Sequence, residues 1–200
     1  MHARGQDVVA PDLPSEDDSA GLWEYADAVV DALGERGNPV VVAQSFGAFT
    51  APLVCERVPV DLLVLVAGMV PAPGEAPRDW WANTGYESAA GDGDDDVIAT
   101  FYHDVPPALA SEALKRARGQ SATPTEEPWP LEAWPNVPTR FLLCRDDRLF
   151  APDFLRRVVS ARLGIAAEEI DGGHCVALSR PKELAARLEE YRAAEVGSPS

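Results

Sequence analysis

Cysteine, histidine and positive charge are all scarce in this chain of 200 residues. The three cysteines, Cys55, Cys144 and Cys175, are odd in number and far apart, which excludes a dense disulfide framework and points to reduced thiols in a cytoplasmic protein. No CxxC or HxxxH pair occurs, so the ligand spacing of a zinc site is missing, and no cofactor is called for. Lys and Arg number 17 against 33 Asp and Glu, and the resulting formal charge of −16 repels both phosphate backbones and anionic lipid. Neither nucleic acid nor a membrane surface is therefore the expected partner. No apolar run approaches the ~20 residues that cross a bilayer, and the opening MHARGQD lacks the apolar region of a signal peptide.

What is present is a 46% hydrophobic composition, enough for one substantial core. Along the chain, strand and helix signals alternate. Asp7 to Ala10 reads as a strand closed by Pro11-Asp12-Leu13-Pro14. Ser19 is a predicted N-cap for a helix in which Leu22, Ala26, Val29, Val30 and Leu33 recur at helical spacing up to Gly34. Pro39 to Ala43 (PVVVA) has the continuous β-branched composition of a strand buried on both faces. A helix over Gly47 to Val58 follows, with Pro52 expected in its first turns, then a strand over Leu62 to Val66. Much later come a strand at Arg140 to Leu143, a helix from Pro152 to Gly164, a short strand at Ala167 to Ile170 and a closing helix from Pro181 to about Tyr191. This alternation predicts an α/β fold with a mostly parallel sheet covered on both faces.

Residues 71 to 138 break the pattern. They hold ten of the eighteen prolines, four of the five tryptophans and the acidic run Gly91 to Asp96 (GDGDDD). That run lacks the ligand spacing and terminal Glu of a calcium loop and reads as solvated. With a helical-looking stretch at Leu109 to Arg118, the segment reads as a cap of residues 71–138 inserted into a core of residues 1–70 and 139–200.

The chemistry concentrates where strands end. Ser45 stands between PVVVA and the following helix, with Ala43 and Gly47 as the small residues that a sharp strand-to-helix turn requires. Such a turn lifts the hydroxyl above the sheet and puts the Phe46 backbone N–H at a helix N-terminus, where it can donate to an oxyanion. A serine nucleophile needs a base, and the chain offers His2, His103 and His174. His2 is near a terminus and His103 adjoins Phe101 and Tyr102 in the cap; His174 follows two glycines after a strand, the place from which a ring reaches the sheet's carboxyl edge. Asp146 and Asp147 both follow the strand RFLLC, and one of them should orient the imidazole. Trp80, Trp81, Phe101, Tyr102, Trp129 and Trp134 are the candidates for lining a substrate pocket, or for packing the cap onto the core.

The stretches VVAPDLP, VVVAQSFGAF, LVLVAGMVPAPGE, FLLCRDDRLFAP and GGHCVALSRPKELA resemble the small α/β-hydrolases close to bacterial esterases and to plant hydroxynitrile lyases and methyl esterases. The resemblance covers most of the chain outside the cap. The family's Gly-x-Ser-x-Gly corresponds to Ala43-Gln44-Ser45-Phe46-Gly47, and its Asp-x-x-Phe/Val-x-Pro to Asp147-Arg148-Leu149-Phe150-Ala151-Pro152, which selects Asp147 over Asp146 as the acid. The resemblance implies a serine hydrolase with a Ser45, His174, Asp147 triad acting on a small carboxylic ester or related acyl substrate. It also implies a first strand ending in His-Gly, lying between the DVVA and PVVVA strands and supplying a second oxyanion donor. No such stretch stands ahead of HARGQDVVAPDLP, so the expectation is an N-terminally truncated α/β-hydrolase fold whose open strand edge favours a homodimer. Loss of one oxyanion donor costs about 100- to 1000-fold in turnover. Two other functions follow from the same residues. One is a lyase using the triad as a base, although relatives of that kind usually carry a cap lysine and this cap offers only Lys115. The other is a non-catalytic relative that binds a small apolar ligand.

Overall fold

The computed structural model describes residue 1, residues 4–87 and residues 94–196. Within these, β1 (Val40–Gln44), β2 (Leu62–Val66), β3 (Thr139–Cys144) and β4 (Glu168–Ile170) form one sheet in the order β1-β2-β3-β4. Every pair is parallel, with Val42 opposite Val64, Leu65 opposite Phe141 and Cys144 opposite Ile170. Parallel neighbours need crossover connections, and helices supply them. α2 (Gly47–Cys55) packs on β1 and β2, α1 (Leu22–Leu33) packs on α2, α7 (Pro152–Leu163) lies on β3, and, after the single turn α8 (Val176–Ser179), α9 (Pro181–Val196) reaches β2.

β2 shows why the apolar runs become strands. All five of its residues are buried, because helices cover both faces of the sheet at its centre. Burial of a Leu or Val side chain is worth about 1.5–3 kcal/mol, so the run is held by its packing. A core of Phe49, Leu53, Phe141, Leu142, Phe150 and Leu155 continues from it across the sheet.

Three local expectations are corrected. Asp7 to Ala10 is not a strand. β1 pairs on one side with β2, and no described strand runs along its other edge, so the segment has no ladder to join; Val8 and Val9 instead face Val40 and Val42 across a groove of about 480 Å³. Ser19 does not cap α1: its N–H and hydroxyl both bond Asp17, and Gly21 takes the N-cap position, its N–H donating to Glu24 at 2.8 Å. PVVVA is not buried on both faces: as β1 it is the edge of the described sheet, only Ala43 in it is buried, and Val42 is exposed, while Pro52 lies in the first two turns of α2 as expected.

Between β2 and β3 the chain leaves the sheet through a 3₁₀ turn (Pro77–Asp79) and four helices: α3 (Trp80–Thr84), α4 (Asp94–Phe101), α5 (Pro107–Lys115) and α6 (Thr123–Glu126). Of the acidic run, residues 91–93 lie outside the described residues and Asp94 opens α4. The start of this excursion is pinned by Glu75. Its buried carboxylate accepts from Arg162 of α7, from the Ala72 N–H at 3.1 Å and from Asn83 at 3.0 Å. Such a pair is sustained only because the remaining lone pairs are also satisfied.

Candidate active site

Ligands of parallel α/β sheets gather beyond the carboxyl ends of the strands, and here three strands lead into the serine, aspartate and histidine turns singled out in the sequence. β1 runs into Ser45, whose φ of 51° is in the left-handed region that a non-glycine residue rarely adopts. That backbone is held by three bonds: the Ser45 N–H donates to Val66 O at 3.1 Å, and its carbonyl accepts from Ala48 N–H at 3.1 Å and Met69 N–H at 3.0 Å. Ala43 and Gly47 face each other across the turn; a Cβ on Gly47 would lie 3.5 Å from that of Ala43, contact enough for a methyl group and for little more. The Phe46 N–H, at the N-terminus of α2, donates to no described backbone carbonyl.

β3 and β4 deliver the other two groups. The Asp147 carboxylate is buried and accepts from the N–H groups of Leu149 at 2.8 Å and Phe150 at 3.1 Å, leaving its second oxygen 2.8 Å from His174 Nδ1. That contact assigns the proton to Nδ1 and leaves Nε2 as the open nitrogen of the ring. His174 is 3% exposed, flanked edge-on by Phe101 at 5.3 Å and Phe150 at 5.5 Å between ring centroids. Asp146 has a different part: its carboxylate accepts from the Gly172 N–H at 3.1 Å and so ties the acid turn to the histidine turn. Gln44, next to the serine, donates to the His174 carbonyl. Ser45 and His174 are thus bound into one cluster through Gln44 and share Phe101 as a neighbour.

A cavity of about 440 Å³ opens at the serine, lined by Ser45, Phe46, Met69, Pro77, Arg78, Trp81, Phe101, Thr125 and Leu149. Of the six aromatic residues singled out in the sequence, Trp81 and Phe101 are in this lining. Trp80 and Trp129 are core residues: each is fully enclosed, with its indole N–H donating to a backbone carbonyl, Val70 and Phe49 respectively, at 2.9 Å. Trp134 lies against Trp129 with the rings tilted by 31° and donates to Thr139, and Tyr102 lines a separate groove with Ile98, Val105 and Leu114. Phe46, expected for its backbone N–H, also lines the cavity with its side chain. Met69, Pro77, Arg78, Thr125 and Leu149 are lining residues that no local sequence signal marked, because they arrive from distant turns. Lys115 faces the separate groove.

The three thiols take no part in this cluster's proton chemistry. Burial, with carboxylates nearby, pushes Cys144 up to about 12 and Cys175 to about 11, and burial beside Glu56 pushes Cys55 to about 11, so all three are neutral thiols at pH 7. Among the described residues no group of His, Cys, Asp and Glu is arranged to hold a metal ion, and no helix is long and apolar enough to cross a membrane.

The sequence matches the model of the alpha/beta hydrolase family over residues 1–187. The chain belongs to the alpha/beta hydrolase family. Solved structures of the same fold include an extracellular α/β-hydrolase from a Paenibacillus species, 18% identical, with a TM-score of 0.75 over 94% of this chain and 88% of that one. A pyrethroid hydrolase from Sphingobium faniae, also 18% identical, gives 0.74 over 98% and 90%. Tomato methylketone synthase I, 14% identical, gives 0.71 over 98% and 89%. At these identities the likeness establishes the fold. No curated protein matches the chain.

Proposed function

We propose that this α/β-hydrolase is a serine hydrolase acting on small carboxylic esters or related acyl compounds, with Ser45 as nucleophile, His174 as base and Asp147 as the orienting acid. One observation carries the proposal: a serine held at φ 51° at the mouth of an apolar cavity, clustered with a histidine whose Nδ1 is fixed by a buried carboxylate. Strained non-glycine backbone and buried imidazole–carboxylate pairs both concentrate at functional sites.

In this mechanism Ser45 Oγ attacks the acyl carbon while its proton passes to His174 Nε2. The carbonyl oxygen becomes an oxyanion that accepts from the Phe46 N–H, and the Asp147 carboxylate steadies the imidazolium. Collapse of the tetrahedral species breaks the ester bond, and the proton leaves with the alcohol. Water then repeats the sequence on the acyl-serine, releasing the acid and restoring Ser45. The helices between β2 and β3 act as the cap, residues 71–138, and contribute Trp81 and Phe101 to the cavity. The 440 Å³ volume suits a small substrate. A base-catalysed lyase of the kind that uses a cap lysine receives no support from the cavity, whose lining carries no lysine. Cytoplasmic location is part of the same proposal, supported by three free thiols.

Turnover of a panel of short-chain p-nitrophenyl esters tests it. Ser45→Ala and His174→Ala, each shown to be folded, are expected to lose about 1000-fold or more. Full turnover in either variant contradicts the assignment.

A further inference from the structure

The histidine turn is braced from outside the core by two residues of the α4–α5 connection that the proposed mechanism does not use. The Gly173 N–H, one residue before His174, donates to the Asp104 carboxylate at 2.8 Å. His103 Nε2 lies 2.9 Å from Asp146 O, in the turn that presents Asp147. The approach is close enough to dictate the sequence. A Cβ on Gly173 would come within 2.6 Å of His103 Nε2 and 2.7 Å of Asp104 Oδ1, and Gly172 has a φ of 126° that a side chain would strain. The other carboxylate oxygen, Asp104 Oδ1, is buried against the same turn. Burial opposes its charge, yet the Gly173 N–H, Ser179 and His103 together keep its carboxyl below the ordinary range.

Asp104 sits three residues beyond Phe101, the end of α4 and a wall of the serine cavity. We propose that Asp104 is a positioning residue for His174: by clamping the Gly172-Gly173 backbone it sets the imidazole over Ser45 and couples that placement to the seating of α4 and Phe101 against the substrate. The proposal rests on the Ser45, His174, Asp147 reading. Its consequence is that the cap does more than shape the cavity. A substrate that displaces Phe101 also moves the base, so misfit is felt as slower chemistry and not only as weaker binding.

The test combines two readouts on the full chain, for wild type, Asp104→Ala and Asp104→Asn. The first is the labelling rate of Ser45 by a fluorophosphonate, with kcat and KM for one ester. The second is the ring ¹H–¹⁵N signal of His174 Nδ1–H in the resting protein, which reports the ring's placement against Asp147 and is assigned with a His103→Gln variant. Asp104→Ala is expected to lower labelling and kcat by about 10-fold or more with KM nearly unchanged, and to shift that signal. Asp104→Asn, which keeps an acceptor for the Gly173 N–H, is expected to retain most of the rate and the wild-type signal. Labelling and kcat within 2-fold of wild type in Asp104→Ala overturn the proposal, as does an unmoved His174 signal in that variant. If wild type is folded but Ser45 is never labelled, the triad reading fails by itself, and the His174 signal in Asp104→Ala still decides whether Asp104 positions the ring. If Asp104→Ala does not fold, Asp104→Ser, whose shorter side chain does not span to the Gly173 N–H, takes its place under the same criteria.

Discussion

Ser45, the nucleophile of the proposed mechanism, has a backbone that works against local stability. A left-handed backbone costs an L-residue roughly 1–2 kcal/mol, and the three hydrogen bonds to Val66, Ala48 and Met69 hold the strain in place. In an unstrained position glycine is the less stable replacement, because it frees the unfolded chain by about 0.4–1 kcal/mol relative to alanine. At φ 51° the sign reverses. Ser45→Gly is therefore expected to exceed Ser45→Ala in stability by roughly 0.5 kcal/mol in urea unfolding, both being inactive; an advantage for alanine contradicts the account. The thiols give a second prediction at this scale. Their folded values near 11 to 12 are raised above the ordinary 9.0, so the folded state retains protons that the unfolded chain releases. Their contribution is fully present below pH 9 and is lost as pH rises from 9 towards 11. Stability measured between pH 8 and 11 should fall, and Cys144→Ala should flatten the slope. An unchanged slope in that variant contradicts the assignment of cause.

At the scale of elements, legibility followed burial. β2 and β3 were plain in LLVLV and RFLL because a strand enclosed on both faces is uniformly apolar, and the Asp147 turn followed from the end of β3. The Ser45 turn was legible through Ala43 and Gly47 although β1, read as buried on both faces, is a half-exposed edge strand. Asp7 to Ala10 has the same composition but is not a strand, because pairing is a property of the neighbour and not of the segment. The aromatic residues between β2 and β3 could not be divided by composition. Trp80 and Trp81 are adjacent, yet one is enclosed in the core and the other lines the cavity, since successive residues of a helix face different ways. Asp104 was invisible for another reason: it acts on backbone, which leaves no mark on its own surroundings in sequence. Trp80→Ala is expected to cost about 3–5 kcal/mol of stability. Trp81→Ala should cost much less and instead raise KM for the preferred ester; equal losses of stability in the two variants contradict the division.

For the molecule as a whole, the parallel sheet gathers its chemistry at one edge and leaves another edge open. β1 bonds to β2 alone among the described strands, and Val42 on it is 44% exposed, an unprotected edge of the kind that pairs with a second chain. The homodimer expected from the sequence would be joined there; if so, sedimentation velocity shows a dimer that Val42→Lys converts to monomer, and a wild-type monomer at all concentrations contradicts it. The central claim concerns the other edge, where the proposed mechanism places Ser45, His174 and Asp147 in one triad. Fluorophosphonate labelling of the purified protein, read by intact mass beside Ser45→Ala and heat-denatured controls, tests that claim most directly. The account predicts one adduct per chain on the folded wild type and none on either control; a folded wild-type chain that stays unlabelled, or a Ser45→Ala chain that labels equally, contradicts it.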